Sequence, residues 1–252
     1  MKILAVDTST KNLNIAIYLY GQVAGAYLEK PINTHSEILL ANIDNQLRRS
    51  NLALSDFDYF CCCVGPGSFT GIRIGVCTIK TFAQSFNKKV ITVNSNELYA
   101  YNERDKEGYV ISVLNAMNNK LYYAVYNNGS EIVKPSICEI DEFKDIINKY
   151  KGEIVSDILP SLKDFEFCND GPTGVFKTNN ANSADIKTVE NLDKFTIFAN
   201  SAKFKSVRGI DRINNLANLA YQKVLEKKAV DFQKVEPLYV RLSSAEEKFG
   251  VR

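Results

Sequence analysis

Three short apolar runs open the chain, and their spacing constrains the fold more than any other feature of the sequence. Residues 3–6 are continuously apolar, which predicts a short and fully buried strand. Residues 13–20 alternate between apolar and smaller or polar side chains, and residues 23–29 follow after a short turn. The pattern predicts a three-stranded meander whose first turn, at residues 7–12, is polar.

Helical patterns then alternate with further strands. Ser36 is predicted to be the N-cap of a helix that ends near Ser50. A strand at residues 58–64 precedes a second helix that ends near Asn87, and a buried strand at residues 90–93 follows. Strands that alternate with helices are typical of layered α/β folds, so we expect an α/β protein.

The polar and charged segment at residues 101–108 predicts a connection to a second half of the chain. We therefore expect a first lobe at residues 1–104 and a second lobe at residues 105–252. An amphipathic helix is predicted at residues 211–227, and its packing against either lobe is left open. The second lobe is also predicted to contain strands at 109–114, 121–126 and 130–135, a helix at 141–149 and a loop-rich segment at 165–193.

Charge and hydropathy exclude two classes of function. The formal net charge is only +2, so broad, charge-driven binding of nucleic acid by this chain alone is not expected. No stretch approaches the ~18 apolar residues of a membrane span, and the first residues lack the pattern of a signal peptide. We therefore expect a cytoplasmic protein with no membrane partner.

Three of the six cysteines are consecutive and lie in the predicted strand at residues 58–64. Because neighbouring strand residues point to opposite faces, Cys61 and Cys63 are expected on one face and Cys62 on the other. No C-x-x-C pair occurs, so neither a zinc ribbon nor a thioredoxin-like site is indicated. We expect these cysteines to be reduced and buried.

The polar turn after the first strand is the first candidate site. Asp7, Thr8, Ser9 and Thr10 follow the predicted strand directly, where hydroxyl and backbone N–H groups can face a phosphate. Asp7 could also hold a magnesium-bound water. The alternative is that these side chains only satisfy the backbone groups of the turn.

The segment from Gly65 to Gly75, GPGSFTGIRIG, is the most unusual stretch of the sequence. It joins a strand to a helix but matches neither the dinucleotide-binding pattern nor the Walker loop. Gly71, Gly75 and Thr78 form a stripe of small residues on the helix, and a glycine inside a helix costs about 1 kcal/mol relative to alanine. Close approach of another helix, internal or from a partner, is the expected reason.

Groups suited to catalysis are scarce. His35 is the only histidine, which excludes metal sites that need two histidines, and no G-x-S-x-G elbow is present. His35 is expected to be a surface or capping residue because it directly precedes a predicted helix. We predict no catalytic residues and no metal site.

Residues 3–10, the run His35-Ser36-Glu37 and above all the Gly65–Gly75 segment resemble the TsaB (YeaZ) family of tRNA threonylcarbamoyladenosine biosynthesis proteins. The tail at residues 237–241 is similar to that family's tail, whereas Asn115-Ala116-Met117 departs from its Asp-Ala-Arg run. The resemblance implies two lobes of the actin-like ATPase class (sugar kinase, Hsp70, actin; ribonuclease H-like), with a shortened second lobe. The Gly-Gly pair that binds adenosine in that class is absent from the sequence.

The resemblance also implies partners. Members of the family are regarded as non-catalytic and pair with the transferase TsaD, which modifies adenosine 37 of tRNA; the ATPase TsaE joins them, and homodimers form without TsaD. The chain would then contact tRNA only through the complex, and need no cofactor of its own, with ATP and magnesium bound only there. The implied interface consists of Leu39, Ile43, Gly71, Arg73, Ile74, Gly75 and Thr78, and we predict that Gly75→Leu blocks pairing but leaves the fold intact.

Three other functions stay open on the sequence alone. The first is an ATP-using kinase or carbamoyltransferase of the same fold that acts through Asp7. The second is a peptidase, which the single histidine makes improbable. A dimeric structural module is a third alternative that composition does not exclude.

Overall fold

A computed structural model describes residues 1–28, 31–156, 204–206 and 209–241. Residues 1–102 and 208–252 make one compact unit, and residues 103–207 make another. The predicted loop-rich segment at 165–193 lies outside the described residues. In chain order the elements are β1 (Lys2–Asp7), β2 (Leu13–Leu19), β3 (Gln22–Leu28), α1 (His35–Ser50), β4 (Tyr59–Cys63), α2 (Phe69–Ser85), β5 (Lys89–Val93), α3 (Ser95–Ala100), β6 (Tyr109–Asn115), β7 (Lys120–Asn127), β8 (Ser130–Glu139), α4 (Phe143–Tyr150), β9 (Glu153–Ser156), β10 (Phe204–Ser206) and α5 (Gly209–Leu225).

The sheet of the first unit has the strand order β3-β2-β1-β4-β5. The first three strands form the predicted antiparallel meander, and β4 and β5 extend it in parallel from β1. Strand β1 lies at the centre of the sheet, where its Ala5 pairs with Ala16 of β2 on one side and with Cys61 of β4 on the other. The carboxyl ends of β1 and β4 therefore lie at the same edge of the sheet.

Each face of this sheet is covered by helices. One face packs under α1 and α2 in a core that includes Leu4, Phe60 and Cys62. The opposite face, with Ala5 and Cys61, packs against α5. The predicted division of the cysteine run between two faces is confirmed, and the three thiols are free and buried.

The first helix begins two residues earlier than predicted. Thr34, rather than Ser36, is the N-cap, and its N–H donates to the Glu37 carboxylate at 2.9 Å. Ser36 lies inside the first turn, where its hydroxyl contacts that of Thr34. A carboxylate three residues after a threonine is the arrangement of a capping box, which explains the choice of cap.

The last long helix belongs to the first unit. Leu216, Ala217 and Ala220 of α5 are fully buried, and the helix packs against β1, β2, β3 and β5. This helix was predicted within residues 105–252 with its packing left open, and its apolar face is buried on the first sheet. None of the helices among the described residues is long and apolar enough to cross a membrane.

The second unit repeats the strand order of the first. Its sheet has the order β10-β9-β6-β7-β8, in which β6, β7 and β8 are antiparallel and β9 and β10 run parallel to β6. Strand β6 thus takes the place of β1, and Phe143 of α4 is buried with Ile111 and Ile154. Two meanders, each extended by two parallel strands, form the actin-like α/β fold that the resemblance implied.

Candidate functional site

The turn after β1 is closed by its own hydrogen bonds. One oxygen of Asp7, Oδ1, accepts from the Ser9 N–H at 2.9 Å and the Ser9 hydroxyl at 2.6 Å. The other oxygen, Oδ2, accepts from Nδ2 of Asn14 at 3.0 Å. Asp7, Ser9 and Asn14 are each at most 1% exposed. Both carboxylate oxygens are therefore already occupied and shielded from solvent.

The Gly65–Gly75 segment lies directly on this turn. The Ser68 N–H donates to the carbonyl oxygen of Ser9 at 2.6 Å, and the Thr8 hydroxyl donates to the carbonyl oxygen of Gly71 at 2.7 Å. Ser68 also caps α2, since its hydroxyl accepts from the Gly71 N–H. The segment therefore covers the turn, and the Thr8 hydroxyl, a donor that a phosphate could use, is already bonded to Gly71.

The glycines of the segment are required by this contact. A Cβ at Gly67 would lie 2.1 Å from the Ser9 carbonyl oxygen, and one at Gly71 would lie 2.1 Å from that of Thr8. At Gly75 it would lie 2.4 Å from the Thr8 hydroxyl oxygen. The expectation that Gly71 and Gly75 admit another helix is wrong, because the element that approaches them is the turn after β1. A leucine at Gly75 cannot leave the fold intact.

Ser95, which follows the end of β5, also forms hydrogen bonds with this turn. The Ser95 hydroxyl donates to that of Ser9 at 3.0 Å and lies 3.3 Å from Sγ of Cys63, while the Ser95 N–H donates to the carbonyl oxygen of Gly65. Burial raises the pKa of the Cys63 thiol well above its usual value, and nearby Asp7 raises it further. The thiol therefore stays protonated and is a poor nucleophile.

His35 links the same turn to α1. Its Nε2 lies 2.8 Å from the carbonyl oxygen of Thr10, and a carbonyl oxygen can only accept, so Nε2 carries the proton. Thr10 is the one partly exposed member of the candidate phosphate loop. The structure therefore brings Asp7, Thr8, Ser9 and Thr10 together, but as a turn held by its neighbours.

The predicted interface residues separate into two groups. Leu39 and Ile43 are 1% and 2% exposed and pack in the core, as Gly71 and Gly75 do against the turn. These four residues are buried within the chain, so its surface does not present them to a partner as the predicted interface requires. Arg73 is exposed, whereas Ile74 and Thr78 are half-buried.

Two neighbouring helices, α1 and α2, present an outward surface that the sequence reasoning only partly identified. We call Leu40, Ile74, Cys77, Thr78 and Thr81 the outer helix face. Leu40 is 57% exposed, and Cys77 and Thr81 are also exposed. The missed signal was the helical phase: if Leu39 faces the core, the next residue, Leu40, must point about 100° away from it. This small and apolar surface is suited to contact with another protein.

Comparisons with known proteins agree on a family. A family model described as TsaD, tRNA N6-adenosine threonylcarbamoyltransferase, matches residues 23–249. Curated proteins named tRNA threonylcarbamoyladenosine biosynthesis protein TsaB are 32% identical over 126 residues in Bacillus subtilis and 30% identical over 149 residues in Escherichia coli. These alignments cover 50% and 54% of this chain, and 55% and 64% of the relatives' own lengths.

A solved structure supports the fold over nearly the whole chain. A Pseudomonas aeruginosa protein described as similar to the peptidase YeaZ superposes with a TM-score of 0.67 at 17% identity. The match covers 95% of this chain and 99% of that protein. The chain thus belongs to the family that the TsaD model describes and, within it, to the TsaB (YeaZ) group of tRNA threonylcarbamoyladenosine biosynthesis proteins.

Proposed function

We propose that the chain is a non-catalytic subunit of the complex that forms N6-threonylcarbamoyladenosine at position 37 of tRNAs. In this role it binds and supports the transferase TsaD, together with the ATPase TsaE, and pairs with itself when TsaD is absent. The observation that carries the proposal is the closure of the turn after β1 in a member of this family. Asp7 is 1% exposed and both of its oxygens accept hydrogen bonds from the same chain.

The remaining reactive groups support a role without catalysis. Burial raises the pKa of the Cys138 thiol to about 12, and raises those of Cys61, Cys62 and Cys63 strongly as well. Among the residues that the structure covers, no group of three histidine, cysteine or acidic side chains is arranged to hold a metal ion. Free thiols also suit a reducing compartment, so we place the protein in the cytoplasm.

The outer helix face is the surface that we assign to TsaD. Leu40 is 57% exposed although it adjoins two core residues of the same helix, and the α2 members of the outer helix face, Ile74, Cys77, Thr78 and Thr81, are small or apolar. Burial of these five side chains releases water, and none of the five carries a charge that must be desolvated. In this arrangement tRNA is held by the complex, and any ATP and magnesium bind in the complex and not to this chain alone.

Purified full-length chain and the TsaD subunit of the same organism, mixed in a calorimeter, test the proposal. We expect a stable complex, and we expect Leu40→Asp to weaken it by at least about tenfold because the new carboxylate must be buried. Glu131→Gln, at an exposed position of β8 in the second unit, is a charge-changing control outside the outer helix face. Failure of the wild-type chain to bind TsaD would contradict the proposal.

A second measurement separates this role from an ATP-using enzyme. The isolated chain is heated with and without Mg-ATP, and ATP hydrolysis is followed in parallel. Since Asp7 is closed off, we expect no rise in Tm and no turnover, whereas a ligand at a hundred times its Kd would stabilise the fold by about 2.7 kcal/mol. A clear Tm rise with turnover in the isolated chain would favour a kinase or carbamoyltransferase that acts through Asp7.

A further inference from the structure

The C-terminal tail is fixed across the first unit. The Leu238 N–H donates to the carbonyl oxygen of Val64 at 2.7 Å, and Nζ of Lys80 on α2 donates to that of Val235 at 3.0 Å. Val235 is 1% exposed and belongs to the core under α1 and α2. The tail therefore places Tyr239 beside the first turn of α2 in a defined position.

Tyr239 and two residues of α2 form what we call the Arg73 cluster: Phe69, Arg73 and Tyr239. The rings of Phe69 and Tyr239 stack with centroids 4.7 Å apart and an interplanar angle of 27°. Cζ of Arg73 lies 3.9 Å from the centroid of Phe69 and 5.7 Å from that of Tyr239. Nε of Arg73 donates to the Tyr239 hydroxyl at 2.8 Å. The guanidinium is thus held by two rings and one hydrogen bond.

The outer nitrogens of this guanidinium have no acceptor within the described ranges. Only Nε is used, although an arginine side chain offers five N–H donors in a planar fork. No carboxylate of the described residues forms an ion pair with Arg73. A cation that is ordered by its own chain but keeps most of its donors open is prepared to receive an external acceptor.

We propose that the Arg73 cluster is a docking anchor that receives a carboxylate side chain of the partner subunit, and this inference rests on the proposed function. The two Nη groups would donate a parallel pair of hydrogen bonds to the two carboxylate oxygens. Arginine and tyrosine are also the residue types most enriched at the energetic centres of protein interfaces. Arg73 lies one helical turn before Cys77, so the anchor is continuous with the outer helix face.

The geometry favours a protein carboxylate over a phosphate group. The cluster contains one cation, and the nearby Lys80 directs its ammonium to the backbone of Val235. The Phe69 ring covers one side of the guanidinium, which leaves its edge as the open donor surface. A planar acceptor with two oxygens matches that edge, and the side-chain ordering that usually opposes binding is already complete in the free chain.

Calorimetric titration of the full chain with TsaD from the same organism tests the inference. Arg73→Ala is expected to weaken binding about thirtyfold, as for loss of one partner of a hydrogen-bonded charge pair. Arg73→Lys keeps the charge but loses the planar fork, so we expect about a tenfold loss. Raising the salt concentration should lower the affinity of the wild-type chain more than that of Arg73→Ala.

Controls separate this inference from the proposed function. If wild-type chain binds TsaD and Leu40→Asp weakens the complex while both Arg73 variants bind normally, the anchor is wrong and the proposed function stands. If the wild-type chain does not bind at all, both fail. Tyr239→Phe keeps the stacked ring but removes the hydroxyl, and a modest loss of affinity is expected.

Two other acceptors for the Arg73 guanidinium are tested directly, namely a carboxylate of the same chain and inorganic phosphate. Glu246 and Glu247 follow the tail in the sequence, and the variant with both changed to glutamine should bind TsaD normally and melt at the wild-type Tm. If the double variant and Arg73→Ala lower the Tm of the free chain equally, the carboxylate is internal and the proposal is overturned. Binding of inorganic phosphate to the isolated chain that disappears in Arg73→Ala would overturn it as well.

Discussion

The Thr8 hydroxyl donates a hydrogen bond of 2.7 Å to the carbonyl oxygen of Gly71, and this contact fastens the turn after β1 to the first turn of α2. Both residues are buried. In a nucleotide-binding protein the same position, at the carboxyl ends of parallel strands, would face a ligand. Here the N-terminal part of α2 occupies that position. It fits because Gly71 and Gly75 lack the Cβ atoms that would clash with Thr8.

Gly75→Ala should destabilise the protein although alanine is the better helix former. The new Cβ would lie 2.4 Å from the Thr8 hydroxyl oxygen, which is held by its bond to Gly71. Overpacking costs about 1–3 kcal/mol, and the gain in helix propensity offsets about 1 kcal/mol of it. We expect a net loss of up to about 2 kcal/mol in urea unfolding.

The contact with Thr8 can be checked by a double variant. Thr8→Ala removes the obstructing hydroxyl, so Gly75→Ala should cost less in that background than in the wild type. Thr81→Ala, exposed on the same helix, should change stability by less than about 0.5 kcal/mol. Equal costs of Gly75→Ala in both backgrounds would show that Thr8 is not the cause.

Asn14→Leu should destabilise the protein through Asp7. The substitution removes the only side chain that donates to Oδ2 of Asp7 among the described residues, and that carboxylate is 1% exposed. A buried acceptor left without a donor costs about 1–3 kcal/mol. Ser9→Ala is the comparison, and its loss should be smaller because the Ser9 N–H continues to donate to Oδ1 and the Ser95 hydroxyl keeps its contact with Sγ of Cys63. Urea unfolding that ranks Ser9→Ala as the more damaging change would contradict this account.

The sequence predicted the first unit well because its elements follow strong periodic patterns. The meander and the two faces of the cysteine run both depend on the alternation of side chains along a strand, which is visible in the local sequence. Strands β9 and β10 were missed because four and three residues are too short to show a period. Helix α3 was missed as well, although Asn94 and Glu97 give a capping signal: the Asn94 side chain accepts from the Glu97 N–H at 2.7 Å.

The site was harder to predict because the role of each residue depends on contacts between segments that are distant in the sequence. The two small residues Gly71 and Gly75 correctly indicated a close approach, but nothing in their spacing distinguishes a helix from the turn around Thr8, which is more than sixty residues away. Leu39 and Ile43 were assigned to an interface although their helical phase also fits the core. Only the packing of α1 on the sheet decides between these readings.

Leu39→Ala and Leu40→Ala should differ sharply although the residues are neighbours. Leu39 is 1% exposed and packs in the core, so its truncation leaves a cavity and should cost about 2–5 kcal/mol. Leu40 is 57% exposed, and its truncation should cost less than about 0.5 kcal/mol. Binding of TsaD should show the reverse order, which separates fold from interface. Comparable losses of stability for the two variants in urea would contradict the assignment of faces.

Stability should fall as the pH rises above about 9, because four cysteine thiols are buried. Burial raises the pKa of Cys61, Cys62, Cys63 and Cys138 above that of an unfolded cysteine. The unfolded chain therefore loses these protons first, so stability is complete below the unfolded pKa and declines above it, by at most about 1.4 kcal/mol per thiol for each pH unit.

Unfolding curves across this pH range, with Cys62→Ala and the exposed Cys77→Ser as a matched pair, measure the effect. Cys62→Ala should reduce the slope because one buried thiol is removed, whereas Cys77→Ser should leave it unchanged. Alkylation of the native protein provides a second readout: Cys77 should react, and the Cys61–Cys63 run should react only after unfolding. Rapid labelling of that run in the native state would show that the sheet does not protect it.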